Sequence, residues 1–396
     1  MSTPAADAAA AAGRSPAARA WARFRRNRLG FWSLVLFGTM VVLSLCAELL
    51  SNDRPLIVRY EGQTYFPVVR DYAETRFGGD FETPTDYLDP FIQQQLSKPG
   101  NWALYAPNRY GADTINYFAK DPAPGPPSAQ NWLGTDDRGR DLLAQLIYGF
   151  RVSVLFGLAL AAIGTVLGIV AGAVQGYFAG RTDLVMQRAI EIWGAMPELY
   201  LLIIFSAIFA PSVALLLIIL SLFGWIGLAD YVRAEFLRNR QMDYVRAARA
   251  LGVGNLAIMW RHILPNSMVP VVTFLPFRIS AAILALASLD FLGLGVPPGT
   301  PSLGELLNQG KSSIDAWWIS LSTFGVLVLS LTLLTFMGDA LRDALDPRKA
   351  DVSPPAEGDT PSAGEDALLV APPDVTRLGG APVPAAANIT PGGVAP

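Results

Sequence analysis

The chain is expected to be an all-α membrane protein with six transmembrane helices and a polar insert after the first. Three observations predict this. Of its 396 residues, 52% are hydrophobic and 16% charged, against roughly 25% charged in ordinary soluble domains, and mean hydropathy is +0.35. Several runs without any charge are long enough to cross a bilayer, which needs about 20 residues at about 1.5 Å each. Arginines cluster beside the ends of alternate runs, the pattern that fixes orientation.

In chain order, Leu29 to Ala47 is the first charge-free run and defines a segment 29–50. The second extends from Val152 to Gly180. The stretch from Leu199 to Ala229 is too long for one helix and contains Pro211-Ser212, where proline removes a backbone donor, so it holds parts of two spans. The earlier of these must begin near Asp183 or Leu184, which places Arg188, Glu191 and Glu198 in or beside its cytoplasmic half. Ser267 to Leu289 is apolar except for Arg278, and Trp317 to Gly338 completes the six.

Arg14, Arg19, Arg23, Arg25, Arg26 and Arg28 precede the first span, placing residues 1–28 in the cytoplasm. Counting forward puts loop 231–266 inside, with Arg233, Arg238, Arg240, Arg246, Arg249 and Arg261. The C-terminal tail with Arg342, Arg348 and Lys349 also falls inside. Both termini are therefore expected to be cytoplasmic. The first span is longer than a signal-peptide core, and Glu48 follows it without a cleavage pattern.

Residues 51–130 form the outside insert. Leu56-Ile57-Val58 and Tyr65-Phe66 are strand-like, and Gly78-Gly79 and Pro124 to Pro127 mark turns, but no fold is legible. Residues 131–349 carry the remaining five helices. The tail 350–396, rich in Pro, Ala and Gly, and the alanine-rich first 20 residues bury too little apolar area to offset ordering entropy, so both are expected to be disordered.

A formal charge of −3 gives no support for nucleic-acid binding. A single cysteine, Cys46, excludes a disulfide framework and a multi-cysteine zinc site. A single histidine, His262, excludes histidine-rich metal sites and leaves one base for any triad. Gly310-Lys311-Ser312 fails as a phosphate loop because position 305, which needs glycine, is Glu305.

Two patterns point to packing and docking. Gly164, Gly168, Gly172, Gly176 and Gly180 recur every four residues along one helix face, where absent side chains let another backbone approach. The neighbour is either a helix of the same bundle or a second membrane subunit. In loop 231–266, Asp243 to Gly252 predicts a short helix ended by glycine. Tyr244, Ala247, Ala248 and Leu251 share one face, with Asp243, Arg246 and Arg249 on another. Such a helix suits a groove in a cytosolic partner, although the pattern alone fits a solvated or membrane-surface helix equally well.

Tyr244 to Gly252 with Arg261-His262-Ile263-Leu264-Pro265-Asn266 resembles the EAA loop of bacterial ABC-importer permeases of the oligopeptide/dipeptide type. Leu133 to Asp141 (LGTDDRGRD) resembles the LGTD-x-x-GRD segment of the second permease subunit, and Ser288 to Val296 with Pro301-Ser302-Leu303-Gly304 resembles its SFLGLG-to-PSWG stretch. The resemblance covers about residues 20–350, and the insert and residues 175–205 look most like the subgroup associated with oligopeptide and microcin C uptake.

The resemblance implies the ABC-importer permease fold in a bacterial inner membrane. The implied partners are a homologous permease subunit, two cytosolic ATP-binding subunits that use ATP and Mg, and a periplasmic substrate-binding protein, with the lipid bilayer as solvent. The chain itself would bind no cofactor and hydrolyse nothing. ATPase coupling would fall to Asp243, Tyr244, Arg246, Ala247, Ala248, Leu251, Gly252 and Pro265. Two positions depart from the family pattern: its glutamate is Arg246 here, and a polar or aliphatic position in span five is Arg278.

Cargo stays open between peptides, nickel chelates and glutathione. A membrane scaffold that binds partners through 51–130 is the alternative outside transport. Charges inside a membrane normally pair or line a wet cavity. Glu191 and Glu198, seven apart and thus nearly on one face, and Arg278 are accordingly either substrate-path residues or structural pairs.

Overall fold

Asn27 separates the first two helices: its side chain accepts the Gly30 amide at 3.1 Å and so caps α2 (Arg28–Leu45) after α1 (Pro16–Arg26). The computed structural model describes residues 16–346 apart from 116, 118–120 and 298. The segments expected to be disordered therefore lie outside the described residues, except for the last few positions before Ala20. Gly30 lets α2 close on Ala340 of the last helix, α13 (Trp317–Leu345), and Phe24 of α1 packs on Ala340 and Ala344.

After the short helix α3 (Ala47–Leu50), the insert forms a three-stranded antiparallel sheet in the order β2-β1-β3. β1 (Ile57–Tyr60) and β2 (Gln63–Tyr65) are joined by Glu61-Gly62, both at positive φ, the backbone of a two-residue hairpin turn. β3 (Trp102–Leu104) pairs on the other edge with Ile57 opposite Leu104. α4 (Pro90–Leu96), capped by Asp89, covers the sheet and contributes Ile92 and Leu96 to a core around fully buried Phe77. The rings of Tyr60, Tyr65 and Tyr87 meet Phe77 edge-on at 5.3–5.6 Å, the geometry that aromatic quadrupoles favour.

α5 (Leu142–Phe178) is the central helix. α6 (Gly180–Gly194) and α7 (Glu198–Ile208) follow, bent by 62° at Ala195 to Pro197. α8 (Val213–Phe223), whose N-cap Ser212 accepts the Leu215 amide, leads into α9 (Ile226–Asn239). Then come α10 (Asp243–Ala250), α11 (Asn255–Phe291, with a π-helical turn at Ile258–Ile263), α12 (Leu303–Ser312) and α13. Among the described residues, five helical runs are long and apolar enough to cross a membrane, and a sixth is gained when the bent α6–α7 pair is one span.

The helices run further than the charge-free runs do. α5 begins at Leu142, ten residues before Val152, and its Arg151 donates to Glu48 at 2.7 Å. α9 continues to Asn239, and its Arg233 forms a two-pronged bond with Asp183 of α6 at 2.5 and 2.7 Å. Loop 231–266 is thus largely helical: it contains the end of α9, all of α10 and the start of α11. Glu191 and Glu198 sit on different helices either side of the 62° bend, so they do not share a face as the seven-residue spacing predicted.

Candidate functional site: a short helix seated between two spans

α10 begins with Asp243 in its first turn and carries Arg249 in its last, both signs matching the helix dipole. It stops at Gly252, whose φ of +79° lets its amide bond the Arg249 carbonyl at 3.0 Å while the Val253 amide reaches the Ala248 carbonyl at 3.1 Å. This paired closure satisfies carbonyls that would otherwise be orphaned.

The seat is apolar. Val245, wholly buried, and Ala248 one turn later insert among Tyr177 of α5, Val232 and Phe236 of α9, and Ile258 and Ile263 of the π-helical turn. Tyr244 (40% exposed), Ala247 and Leu251 (83% exposed) face away. The predicted stripe of Tyr244, Ala247, Ala248 and Leu251 is therefore split between two faces. Ala248 turns inward with Val245, which the stripe omitted, and the other three point out. The signal for the inward pair was the three-residue step from Val245 to Ala248. Asp243 and Arg246 are exposed and lie 3.7 Å apart, and Pro265 is exposed in α11.

The glycine stripe forms the groove that holds α9. A Cβ on Gly172 would collide with the Ala229 carbonyl and stand 2.9 Å from the Arg233 amide, and one on Gly176 would lie 2.6 Å from the Arg233 carbonyl. Gly168 faces Trp225 and Leu228 at 3.0 Å, and Gly164 faces the Gly224 carbonyl at 3.2 Å. Of the two neighbours open from sequence, a helix of the same chain occupies this face. Gly180 instead takes φ +55° at the start of α6, with open space around it.

At the opposite end of α5, the LGTDDRGRD segment is a clamp. Asp136, fully buried, takes the Arg140 guanidinium at 2.7 Å and the amides of Arg138 and Arg140 at 3.0 and 2.8 Å, while Arg140 also reaches the Gly299 carbonyl at 3.0 Å. Asp141 caps α5 through the Ala144 amide and accepts from Asn108 and Asn131 at 2.7 and 2.8 Å. Burial pushes its carboxyl above the usual range, against the pull of those donors. Burial and the adjacent Asp136 do the same to Asp137. Asp290 accepts the Val296 amide at 2.7 Å and the hydroxyl of Ser302, which caps α12. Gly310, Lys311 and Ser312 close α12 rather than opening a helix, the reverse of a phosphate-binding loop.

Among the charges of the helical bundle, Arg278 of α11 donates to the Gly224 carbonyl at 3.0 Å, and its Nε is buried without a partner. Glu198 is half-buried in the first turn of α7 and makes no ion pair among the described residues. Glu191 pairs with Arg188 at 2.5 Å. The structure thus separates the three: Glu191 has a structural partner, and Glu198 and Arg278 form no ion pair with each other.

Helical runs long and apolar enough to cross a membrane, with a short helix seated between them by its apolar side, define a polytopic membrane bundle. Residues 164–351 match the model of the binding-protein-dependent transport system inner membrane component, and residues 15–67 match the N-terminal TM domain of oligopeptide transport permease C. The chain is 53% identical over 330 residues to the inner membrane ABC transporter permease protein YejE of Escherichia coli (strain K12), covering 83% of this chain and 96% of that protein. It is 49% identical over 355 residues to the peptidoglycan transport system permease protein YejE of Agrobacterium fabrum, covering 84% and 93%. It is 32% identical over 249 residues to the oligopeptide transport system permease protein OppC of Bacillus subtilis, covering 62% and 81%. The chain belongs to the family of peptide-type ABC importer permeases.

Proposed function

We propose that the chain forms half of the translocation path of an ATP-driven importer that carries peptides from periplasm to cytoplasm, as a multi-pass inner-membrane subunit with both termini inside. Oligopeptides, dipeptides and microcin C-like peptides are the cargo class. The Agrobacterium relative is named for peptidoglycan transport, which adds peptidoglycan as a further candidate cargo. The other half is a homologous permease, substrate arrives on a periplasmic binding protein, and two cytosolic ATP-binding subunits supply the drive.

The observation that carries this reading is the division of α10. Val245 and Ala248 anchor it between α5, α9 and α11, and Tyr244, Ala247 and Leu251 remain outside. A helix packed on the spans by one side and open on the other moves rigidly with them. A closing ATPase dimer gripping Tyr244 and Leu251 would shift the spans, and alternating access follows as a change in the populations of inward and outward states.

The proposed substrate path includes Glu198 and Arg278. Both are charged groups of the bundle without a carboxylate–guanidinium partner among the described residues, which favours a wet, ligand-facing site over a dry structural one. They would meet the amino and carboxyl ends of a peptide. Glu191, held by Arg188, is the weaker member of the set.

Peptide uptake in a deletion strain complemented with Glu198→Gln/Arg278→Met tests the path. The expected result is a loss of uptake of at least about tenfold, equivalent to about 1.4 kcal/mol, with the protein still inserted. Unchanged uptake and unchanged peptide stimulation of ATP hydrolysis would remove both residues from the path.

A further inference from the structure

Beside α10 lies a concavity of about 430 Å³ whose charged lining is basic, bounded by Arg240 from the end of α9, Arg246 and Arg249 from α10, Tyr177 from α5 and Asn255 from α11. Tyr177 organises it. Its carbonyl accepts from Arg240 at 3.1 Å, its ring lies 5.1 Å beneath the Arg249 guanidinium, and its hydroxyl donates to Asn255 at 2.7 Å. Two guanidinium groups are therefore oriented by one buried aromatic residue before any ligand arrives.

Neither is held in an ion pair, although Asp183 acts on Arg240 at longer range. Among the described residues, neither Arg240 nor Arg249 lies within ion-pair distance of a carboxylate. Asp183 is engaged by Arg233, and Glu235 by Arg238 at 2.7 Å. Arg246 has only the fully exposed Asp243 at 3.7 Å, a contact weakened by solvent screening. Fixed guanidinium forks with unused donors match carboxylates bidentately.

We propose that this concavity receives acidic side chains of the ATP-binding subunit. The ion pairs formed there have their basic members on the permease, at Arg246 and Arg249. The inference rests on the reading of α10 as the coupling helix. It selects a protein carboxylate over a lipid phosphate because Arg246 and Arg249 share α10 with the outward Tyr244 and Leu251, which makes basic and apolar parts one continuous surface.

The test uses the assembled complex, with both permeases and the ATPases, purified into nanodiscs of phosphatidylcholine alone or with phosphatidylglycerol. In Arg246→Lys/Arg249→Lys, a carbodiimide condenses an introduced amine with a carboxylate within reach, forming an amide with loss of water as the activating reagent becomes its urea. Mass spectrometry is expected to find that amide joining this chain to an Asp or Glu of the ATPase subunit, equally in both lipids. Arg246→Glu/Arg249→Glu should lower ATPase copurification at least tenfold, and replacing the cross-linked carboxylate by lysine should restore it.

Cross-links confined to Asp243 or Asp183 of this chain, or full copurification by the glutamate variant, would overturn the inference and leave the coupling helix in place. So would a loss of copurification by the glutamate variant that appears only with phosphatidylglycerol, which would assign the concavity to lipid. A wild-type complex without any ATPase would instead overturn the proposed function. Retained copurification of the partner permease verifies that the variants are folded.

Discussion

Arg278 reaches the carbonyl of Gly224 at 3.0 Å, passing through the notch that Gly164 leaves in α5. Three elements meet there: the charged residue of α11, the C-terminal cap of α8 and the first glycine of the stripe. The bond secures the break between α8 and α9, and a Cβ at Gly164 would meet the guanidinium itself.

Replacing Arg278 by methionine removes one hydrogen bond, about 0.5–1.5 kcal/mol, but also a charge that is costly inside a bilayer. Thermal stability is therefore expected to change little while peptide uptake falls at least about tenfold, a loss of about 1.4 kcal/mol. Unfolding in detergent and uptake in cells measure the two. A collapse of stability with uptake per folded molecule intact would make Arg278 purely structural.

The stripe should respond to alanine according to what each Cβ meets. Gly172→Ala drives into backbone of α9 at Ala229 and Arg233, an overpacking cost of about 1–3 kcal/mol. Gly227→Ala, within α9 and facing open space, should stabilise by about 0.4–1 kcal/mol through the unfolded chain. Comparing the two melting temperatures checks the order, and a Gly172→Ala protein as stable as Gly227→Ala would contradict the packing described.

The clamp before α5 gives a third prediction. Arg140→Met strands the buried Asp136 carboxylate, for which about 3–5 kcal/mol is expected. Asp136→Asn keeps an acceptor for the Arg138 and Arg140 amides and should cost less. Melting temperatures of the two variants in the same detergent give the comparison, and the reverse order would contradict the assigned roles.

On α10 the two faces should separate stability from coupling. Tyr244→Ala and Leu251→Ala touch the outward face and are expected to stay within about 0.5 kcal/mol of wild-type stability while lowering peptide-stimulated ATP hydrolysis. Val245→Asp buries a charge at a wholly enclosed position and should prevent folding of the α10 seat, seen as lost expression. Normal hydrolysis in Tyr244→Ala/Leu251→Ala would count against α10 as the coupling element.

The spans were legible because a bilayer forbids unpaired charge, so a charge-free run marks the hydrocarbon. The same criterion cut α5 and α9 short. Arg151 is tolerated beside Glu48, and Arg233 beside Asp183, pairs that sequence distance hides. Pro211-Ser212 announced its break correctly, with Ser212 capping α8. The 62° bend ending at Pro197, and the resulting separation of Glu191 from Glu198, could not be counted from spacing.

In the insert, the local strand patches were visible, yet the sheet depends on Ile57 meeting Leu104 across intervening chain. In α10, periodicity found the helix and its glycine stop. Which side faced inward was set by Tyr177, Val232 and Ile258, residues on three other elements.

The most direct measurement places a cysteine at Tyr244 in a Cys46→Ser background and labels it with a membrane-impermeant thiol reagent in vesicles of known orientation. Labelling is expected in inside-out vesicles stripped of ATPase, with protection when the ATP-binding subunits are bound. Labelling from the periplasmic side of intact, right-side-out vesicles would contradict the cytoplasmic placement of Tyr244.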